Sequence, residues 1–116
     1  LVETHAETTS EKVALGWYLD GRVAAVIGTH THIPTADARI LPRGTGYLTD
    51  AGMSGPFDSV LGRDIAPIVR RFIDGLPRRF TVAEANVQLC GVIFEVEPGQ
   101  RGCKSFEPFK FVVPEA

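Results

Sequence analysis

A strand–helix–strand pattern lies in residues 1–30, LVETHAETTSEKVALGWYLDGRVAAVIGTH. LVETH predicts the end of a strand, and VAAVIG is the almost wholly apolar run that is typical of a strand covered on both faces. Between them, Thr8 and Glu11 have the spacing of a capping box, so a helix is expected to run to about Asp20. Gly21 then provides a left-handed stop. We therefore expect two neighbouring parallel strands joined by a helix.

The remainder of the chain predicts further strands and one more helix. ARIL and GYLT are short strands around the turn-forming PRGTG, and three antiparallel strands are expected over residues 78–84, 87–97 and 103–111. The second helix should begin near Ile65, because Pro67 is tolerated only in a first helical turn. The predicted fold class is α/β, a mixed sandwich with an open sheet edge.

Each predicted helix carries an apolar side at helical spacing. On the first helix this spacing makes Trp17 and Tyr18 candidates for the core. On the second helix one side collects Ile65, Ile68, Val69, Phe72 and Ile73.

Size, charge and composition restrict the class of protein. The chain has 116 residues, enough for one domain, and a formal net charge of -2, which gives no support for a dedicated nucleic-acid or membrane binder. The sequence begins with Leu1 at what resembles the tail of a strand, and we take this to indicate a fragment whose front half is missing. Cys90 and Cys103 form no metal-binding pair, and the predicted hairpin places them out of register, so reduced thiols in a cytoplasmic protein are expected.

All three histidines of the chain follow predicted strands. His5 ends the first strand, and His30 and His32 lie in GTHTH after the second. Sites in open α/β sheets lie beyond the carboxyl ends of strands, so parallel neighbours would bring His5 close to His30. Imidazole suits Zn, Fe, Mn or Ni. The H-x-H pair could face one ion from a continuous strand, or diverge in a loop and serve two ions.

The segment HAETTSEKVALGWYLDGRVAAVIGTHTHIPTADARILPRGTGYLTDAGMSGPFDSVLG, residues 5–62, closely resembles the C-terminal half of bacterial metallophosphoesterases of the YmdB type. The resemblance implies a metallophosphoesterase α/β/β/α sandwich and a dinuclear-metal phosphodiesterase acting on 2′,3′-cyclic nucleotides. It implies that residues 1–116 are the C-terminal half of one domain.

In that family the corresponding histidines are metal ligands, which implies the same role for His5, His30 and His32. By analogy, His5 and His30 would hold one divalent ion and His32 the other, with Fe or Mn as the expected metals. No catalytic residue maps onto this chain, because the family's general-acid histidine and its carboxylate ligands belong to the N-terminal half. That half is the implied partner, a homo-oligomer is expected, and the isolated fragment is expected to be inactive.

Several polar residues near the histidines have two interpretations. The hydroxyls of Thr29 and Thr31 could bind substrate phosphate or shape the turn. Glu7 could orient a ligand ring without touching the metal, or cap the following helix. Asp37 and Asp50 could fix loops or touch the site. Two other functions stay open, a mononuclear three-histidine zinc hydrolase and a non-catalytic regulatory module.

Overall fold

The computed structural model describes residues 1–114. Within this range nine elements follow one another: β1 (Val2–His5), α1 (Thr9–Leu19), β2 (Ala25–Thr29), β3 (Arg39–Ile40), β4 (Gly46–Leu48), β5 (Gly55–Pro56), α2 (Ile65–Asp74), β6 (Val87–Val96) and β7 (Cys103–Val112). They form two sheets and two helices, which confirms the predicted α/β class. Among these residues two compact units are present, residues 1–52 with 90–109, and residues 53–89 with 110–114.

The sheet of the first unit has the strand order β1-β2-β4-β3. β1 and β2 are parallel, as predicted, with Val2 opposite Val26 and His5 opposite Thr29. β2 is also parallel to β4, and β3 closes the sheet as an antiparallel neighbour of β4. β1 is therefore an edge strand, and the strand that carries His5 has one side without a partner strand among the described residues.

Both faces of β2 are covered, as its apolar sequence predicts. Ala25 packs with Leu48 and Phe106 on one face, and Val26 packs with Tyr47 on the other. Successive residues of a strand point to opposite faces, so these neighbours fix β2 in the interior of the unit. β1 and β4, the parallel neighbours of β2, are held in place with it. This positions His5 at the end of β1 and His30 directly after β2.

The predicted burial of Trp17 and Tyr18 is wrong, since they are 49% and 67% exposed. The side of α1 that faces the sheet instead carries Lys12 and Gly16, four residues apart and both buried. A Cβ atom at position 16 would lie 2.4 Å from the Tyr47 ring, so the absence of a side chain allows the close approach. Close packing selects the glycine side of the helix, and the aromatic side remains outside.

The ends of α1 agree with the prediction in position but not in every contact. The helix begins after Thr8, yet the Thr8 side chain makes no capping hydrogen bond. At the other end Gly21 adopts φ +78°, the left-handed conformation expected of a helix stop. Asp20 accepts hydrogen bonds from the backbone N–H groups of Arg43 and Thr45, which ties the helix end to the turn before β4.

In the second unit, α2 begins at Ile65 as predicted, with Pro67 in its first turn, and Gly75 ends it in the left-handed conformation. Only Ile68 of its apolar side is buried. Phe72 and Ile73 are 86% and 79% exposed. Among the described residues this side of the helix is therefore largely uncovered.

The strand predicted over residues 78–84 is wrong. The backbone of this segment is instead hydrogen-bonded to the segment before α2: Asp64 N–H donates to the Thr81 carbonyl, and Ala83 N–H donates to the Gly62 carbonyl. The second sheet has the order β5-β6-β7, and the two-residue β5 takes the edge position next to β6. The other two predicted strands are present as β6 and β7. No helix within residues 1–114 has the length and apolar character needed to cross a bilayer.

Candidate metal centre

The rings of His5 and His30 are in contact. His5 is the last residue of β1 and pairs in register with Thr29, so His30 follows directly at the neighbouring strand end. His5 Nε2 lies 3.1 Å from His30 Nδ1, and the two rings meet edge to face with centroids 4.9 Å apart. The expected approach of these two histidines is confirmed.

The spacing of the two nitrogens fits shared coordination of one ion. Imidazole nitrogens held about 2.0–2.1 Å from a tetrahedral ion lie about 3.3 Å from each other. The observed 3.1 Å is close to that value. However, no group of three or more His, Cys, Asp or Glu side chains within residues 1–114 is arranged to hold a metal. The pair therefore fits as two ligands of a metal site, and no third ligand side chain is grouped with it among residues 1–114.

His30 and His32 do not lie on a continuous strand. β2 ends at Thr29, and the two histidines have φ angles of 120° and 67°, which side-chain-bearing residues rarely adopt. The alternation of side chains along a strand therefore does not govern their directions. His32 forms no three-residue ligand group with His5 and His30. Its assignment to a second ion stays a prediction.

The other ring nitrogen of His5 is held by Thr29. Thr29 Oγ1 donates its proton to the carboxylate of Glu3, and it lies 2.9 Å from His5 Nδ1. A hydroxyl has a single proton, so Thr29 must accept the hydrogen bond from His5 Nδ1–H. The lone pair of His5 is then on Nε2, the atom that faces His30.

Glu3 was missed by the sequence analysis, although a signal was present. Glu3 and His5 are two residues apart in β1, and both are exposed while Val2 and Thr4 are half-buried. Alternation along a strand places them on one face. Glu7, the predicted partner of a ligand ring, is exposed. Of the two His5 ring nitrogens, Nδ1 contacts Thr29 and Nε2 contacts His30. The orienting role of Glu7 stays a prediction.

Lys12 and Asp50 hold the backbone on either side of His30. Lys12 Nζ donates to the Thr29 carbonyl at 2.6 Å and to Asp50 Oδ2 at 3.3 Å. The same Asp50 oxygen accepts the backbone N–H of Thr31 at 2.8 Å. A left-handed backbone at a non-glycine residue costs about 1–3 kcal/mol and persists where its surroundings fix it. These contacts provide that restraint for His30.

The pKa of Asp50 is lowered from its ordinary value. Burial acts to raise it, but hydrogen bonds from Thr31, Gly52 and Lys12 stabilise the carboxylate and outweigh burial. Asp50 is therefore ionised near neutral pH, and the buried ammonium of Lys12 has a balancing charge.

The two threonines of GTHTH and the second aspartate make contacts within the protein. Thr31 Oγ1 donates to the Ile33 carbonyl at 3.1 Å, which is a turn contact. Asp37 accepts hydrogen bonds from the hydroxyls of Thr35 and Thr49 and so fixes the loop after the histidines. Phosphate binding by Thr29 or Thr31 stays a prediction.

Gly28, the first residue of GTHTH, is required by a backbone contact. A Cβ atom there would lie 1.7 Å from the Thr49 carbonyl oxygen. The Gly28 carbonyl accepts the Ala51 N–H at 2.8 Å, so β2 and the segment after β4 approach closely just before the histidines. Position 28 cannot carry a side chain without displacing one of these segments.

Comparison with known proteins gives one family and several relatives. The sequence model of the YmdB-like protein family matches residues 1–109. A 2′,3′-cyclic-nucleotide 2′-phosphodiesterase of Bacillus subtilis (strain 168) is 58% identical over 96 residues, which are 83% of this chain and 36% of that protein. A putative phosphatase/phosphodiesterase of Mycoplasma pneumoniae is 44% identical over 113 residues, which are 97% of this chain and 40% of that protein.

Two solved structures have the same fold over nearly all of this chain. A hypothetical protein from Thermus thermophilus superposes with a TM-score of 0.89 at 43% identity, covering 97% of this chain and 44% of that one. A novel phosphatase from Mycoplasma pneumoniae superposes with a TM-score of 0.90 at 44% identity, covering 97% and 40%. The chain thus spans 36% and 40% of the length of the two curated relatives above.

Proposed function

The chain belongs to the YmdB-like protein family, and on that premise we propose that it supplies part of the active site of a metal-dependent phosphodiesterase. The proposed substrates are cyclic nucleotides of the 2′,3′ type. The substrate class is supported by the Bacillus subtilis relative, whose name states a 2′,3′-cyclic-nucleotide 2′-phosphodiesterase activity.

The observation that carries the proposal is the contact between His5 Nε2 and His30 Nδ1 at 3.1 Å. Two imidazoles at the carboxyl ends of adjacent parallel strands are where an α/β sheet places a ligand site. Their spacing suits a common ion, and the hydrogen bond from His5 Nδ1 to Thr29 leaves the Nε2 lone pair directed at it. His32, two residues on, is the proposed ligand of a second ion.

The chemistry of the site follows from the negative charge of a phosphodiester. Two divalent ions, for which Fe and Mn are the proposed identities, would supply positive charge to the phosphate oxygens and acidity to a water molecule. The strand register holds the nitrogens of His5 and His30 in place, and the contact with Thr29 also holds the His5 ring. Lys12 and Asp50 fix the backbone that carries His30. Protonation of the leaving ribose oxygen requires an acid, and the proposal places that histidine outside this chain.

The site is proposed to be completed by a further part of the same protein. Two adjacent imidazoles carry no charge to balance a divalent ion, and residues 1–114 contain no third ligand grouped with them. The relatives are more than twice as long as this chain, so they have room for the missing ligands. Residues 1–116 are accordingly proposed as one half of a domain, inactive alone. Assembly as a homo-oligomer and a cytoplasmic location are further parts of the proposal.

The test uses the full-length protein, stripped of metal and then reloaded. Mn²⁺ and Fe²⁺ are titrated separately while hydrolysis of 2′,3′-cyclic AMP is followed, with 3′,5′-cyclic AMP and p-nitrophenyl phosphate as comparison substrates. Activity on the 2′,3′ diester that requires two ions per chain is expected. Full activity with a single Zn²⁺ per chain would favour the mononuclear hydrolase, and folded, metal-loaded protein without turnover would favour a regulatory module.

A further inference from the structure

We infer that Glu3 and Thr29 are positioning residues, which lock His5 in the tautomer that carries its proton on Nδ1 and direct Nε2 towards the metal. This inference rests on the proposed metal site. Thr29 contacts the His5 ring and Glu3 contacts Thr29, so a hydroxyl lies between the carboxylate and the histidine.

The strand register brings the three side chains together. Across the parallel pair, Glu3 lies opposite Ile27 and His5 lies opposite Thr29. Glu3 and His5 share the exposed face of β1, and Thr29 is the last residue of β2. The Thr29 hydroxyl lies between the other two groups and contacts both of them.

The direction of the hydrogen bonds follows from counting protons. An ionised carboxylate can only accept, so the Thr29 proton is directed at Glu3. The Thr29 oxygen then accepts from His5 Nδ1, and the neutral ring has its lone pair on Nε2. Reversing the second bond would leave two acceptors facing each other.

Glu3 could instead be a direct metal ligand or a simple cross-link between strands. Its carboxylate contacts Thr29, and it forms no ligand group of three with the two histidines among residues 1–114. A cross-link would affect stability only. A positioning role predicts a change in the His5 tautomer and in metal affinity, with folding retained.

The experiment compares four variants of the full-length protein with the unchanged protein. Thr29→Val removes the hydroxyl but keeps the branched shape, and Thr29→Ser keeps the hydroxyl but removes the methyl group. Glu3→Gln removes the charge at an exposed position. Thr4→Val is the matched control, because Thr4 is in the same strand but on its other face.

Two measurements are made on each metal-free variant. Long-range ¹H–¹⁵N correlation spectra at about pH 8, well above the ordinary histidine pKa, report which nitrogen of His5 carries the proton. Titration calorimetry with Mn²⁺ gives the metal affinity. We expect Thr29→Val and Glu3→Gln to shift His5 towards the other tautomer and to weaken Mn²⁺ binding about 10–100-fold. Thr29→Ser and Thr4→Val should match the unchanged protein.

The inference is overturned if Thr29→Val and Glu3→Gln both keep the Nδ1–H tautomer, or if both bind Mn²⁺ as tightly as the unchanged protein. Circular dichroism checks folding, and Glu3→Gln decides the question if Thr29→Val is unfolded. A different result would be failure of the unchanged protein to bind any divalent ion. That would refute the proposed function, while the tautomer spectra would still decide the roles of Glu3 and Thr29.

Discussion

Lys12 Nζ and Asp50 Oδ2 lie 3.3 Å apart, and each of the two side chains is only 1% exposed. The pair also contacts the backbone before and after His30, through the Thr29 carbonyl and the Thr31 N–H. A buried charge that loses its partner is strongly destabilising. The pair therefore links the stability of the first unit to the backbone conformation of residues 29–31.

Replacement of Lys12 by Met should lower the free energy of unfolding by about 3–5 kcal/mol, because it leaves the Asp50 carboxylate buried without a countercharge. Urea denaturation followed by the fluorescence of Trp17 measures the change. The double variant with Asp50→Asn should lose less than the sum of the two single changes. Lys104→Met is the control, since its ion pair with Glu97 is exposed, and it should change stability by less than about 1 kcal/mol. Equal effects of the two lysine replacements would contradict the prediction.

His30→Ala and His32→Ala, made in the full-length protein, should each remove most phosphodiesterase activity with little loss of folding. A fall of about 100-fold or more is expected, since several kcal/mol of transition-state stabilisation would depend on the proposed ions. Hydrolysis of 2′,3′-cyclic AMP and circular dichroism are measured together, with the exposed Arg79→Ala as control. Near-normal turnover in either folded histidine variant would exclude the ligand role of that residue.

Gly28→Ala should destabilise the protein and reduce activity together. The added methyl would lie 1.7 Å from the Thr49 carbonyl oxygen, so one backbone segment must move, and overpacking of this kind costs about 1–3 kcal/mol or more. Gly55→Ala is the matched control, because a Cβ there meets nothing within 4 Å. Thermal unfolding and diester hydrolysis are the measurements. Gly28→Ala indistinguishable from Gly55→Ala would show that the close approach is absent in solution.

The stability contribution of Asp37 should disappear in acid. Burial acts to raise the pKa of Asp37, but hydrogen bonds from Thr35 and Thr49 outweigh it and lower the pKa. Because the folded pKa lies below the ordinary value of about 3.9, the contribution is complete above that pH and is lost as the pH falls through the folded pKa. Urea unfolding of the protein and of Asp37→Asn is compared from pH 7 to pH 3. A stability difference that stays constant over that range would refute the assignment.

Residues 1–116 produced alone should self-associate. α2 exposes Phe72 and Ile73 almost completely, and β1 is an edge strand, so apolar surface and unpaired backbone groups are both available. Light scattering measures the association, which Phe72→Ser with Ile73→Ser should reduce. Co-expression with the proposed N-terminal half should restore solubility and activity. A monodisperse monomer of the unchanged chain would mean that residues 1–116 are a self-sufficient domain.

The parts of the fold predicted correctly depend on sequence features that are close together. β1, α1 and β2 followed from apolar runs and a helix stop at Gly21, and the contact of His5 with His30 followed from the parallel arrangement of the strands. The helix start at Ile65 followed from the restriction that Pro67 places on the backbone.

The errors concern partners that are distant in sequence. Lysine is normally exposed, so nothing local indicated that Lys12 would be buried against a carboxylate 38 residues away. The helical spacing of apolar residues predicts Trp17 and Tyr18 in the core, whereas the close approach of Gly16 to the Tyr47 ring determines which side of the helix packs. The strand expected over 78–84 failed because that segment bonds to residues 62 and 64.

Both histidines of the contact pair come from one strand–helix–strand unit and are only 25 positions apart. Contacts between residues that are closer in sequence lose less chain entropy on closure, which favours their formation before more distant pairings. The Lys12–Asp50 contact spans 38 positions and requires β4 to be in place. Refolding followed by pulsed hydrogen exchange should therefore protect β1 and β2 before the Thr31 amide. The pair of His5 and His30 would then assemble early, and the backbone around His30 would become rigid in a later, separable step.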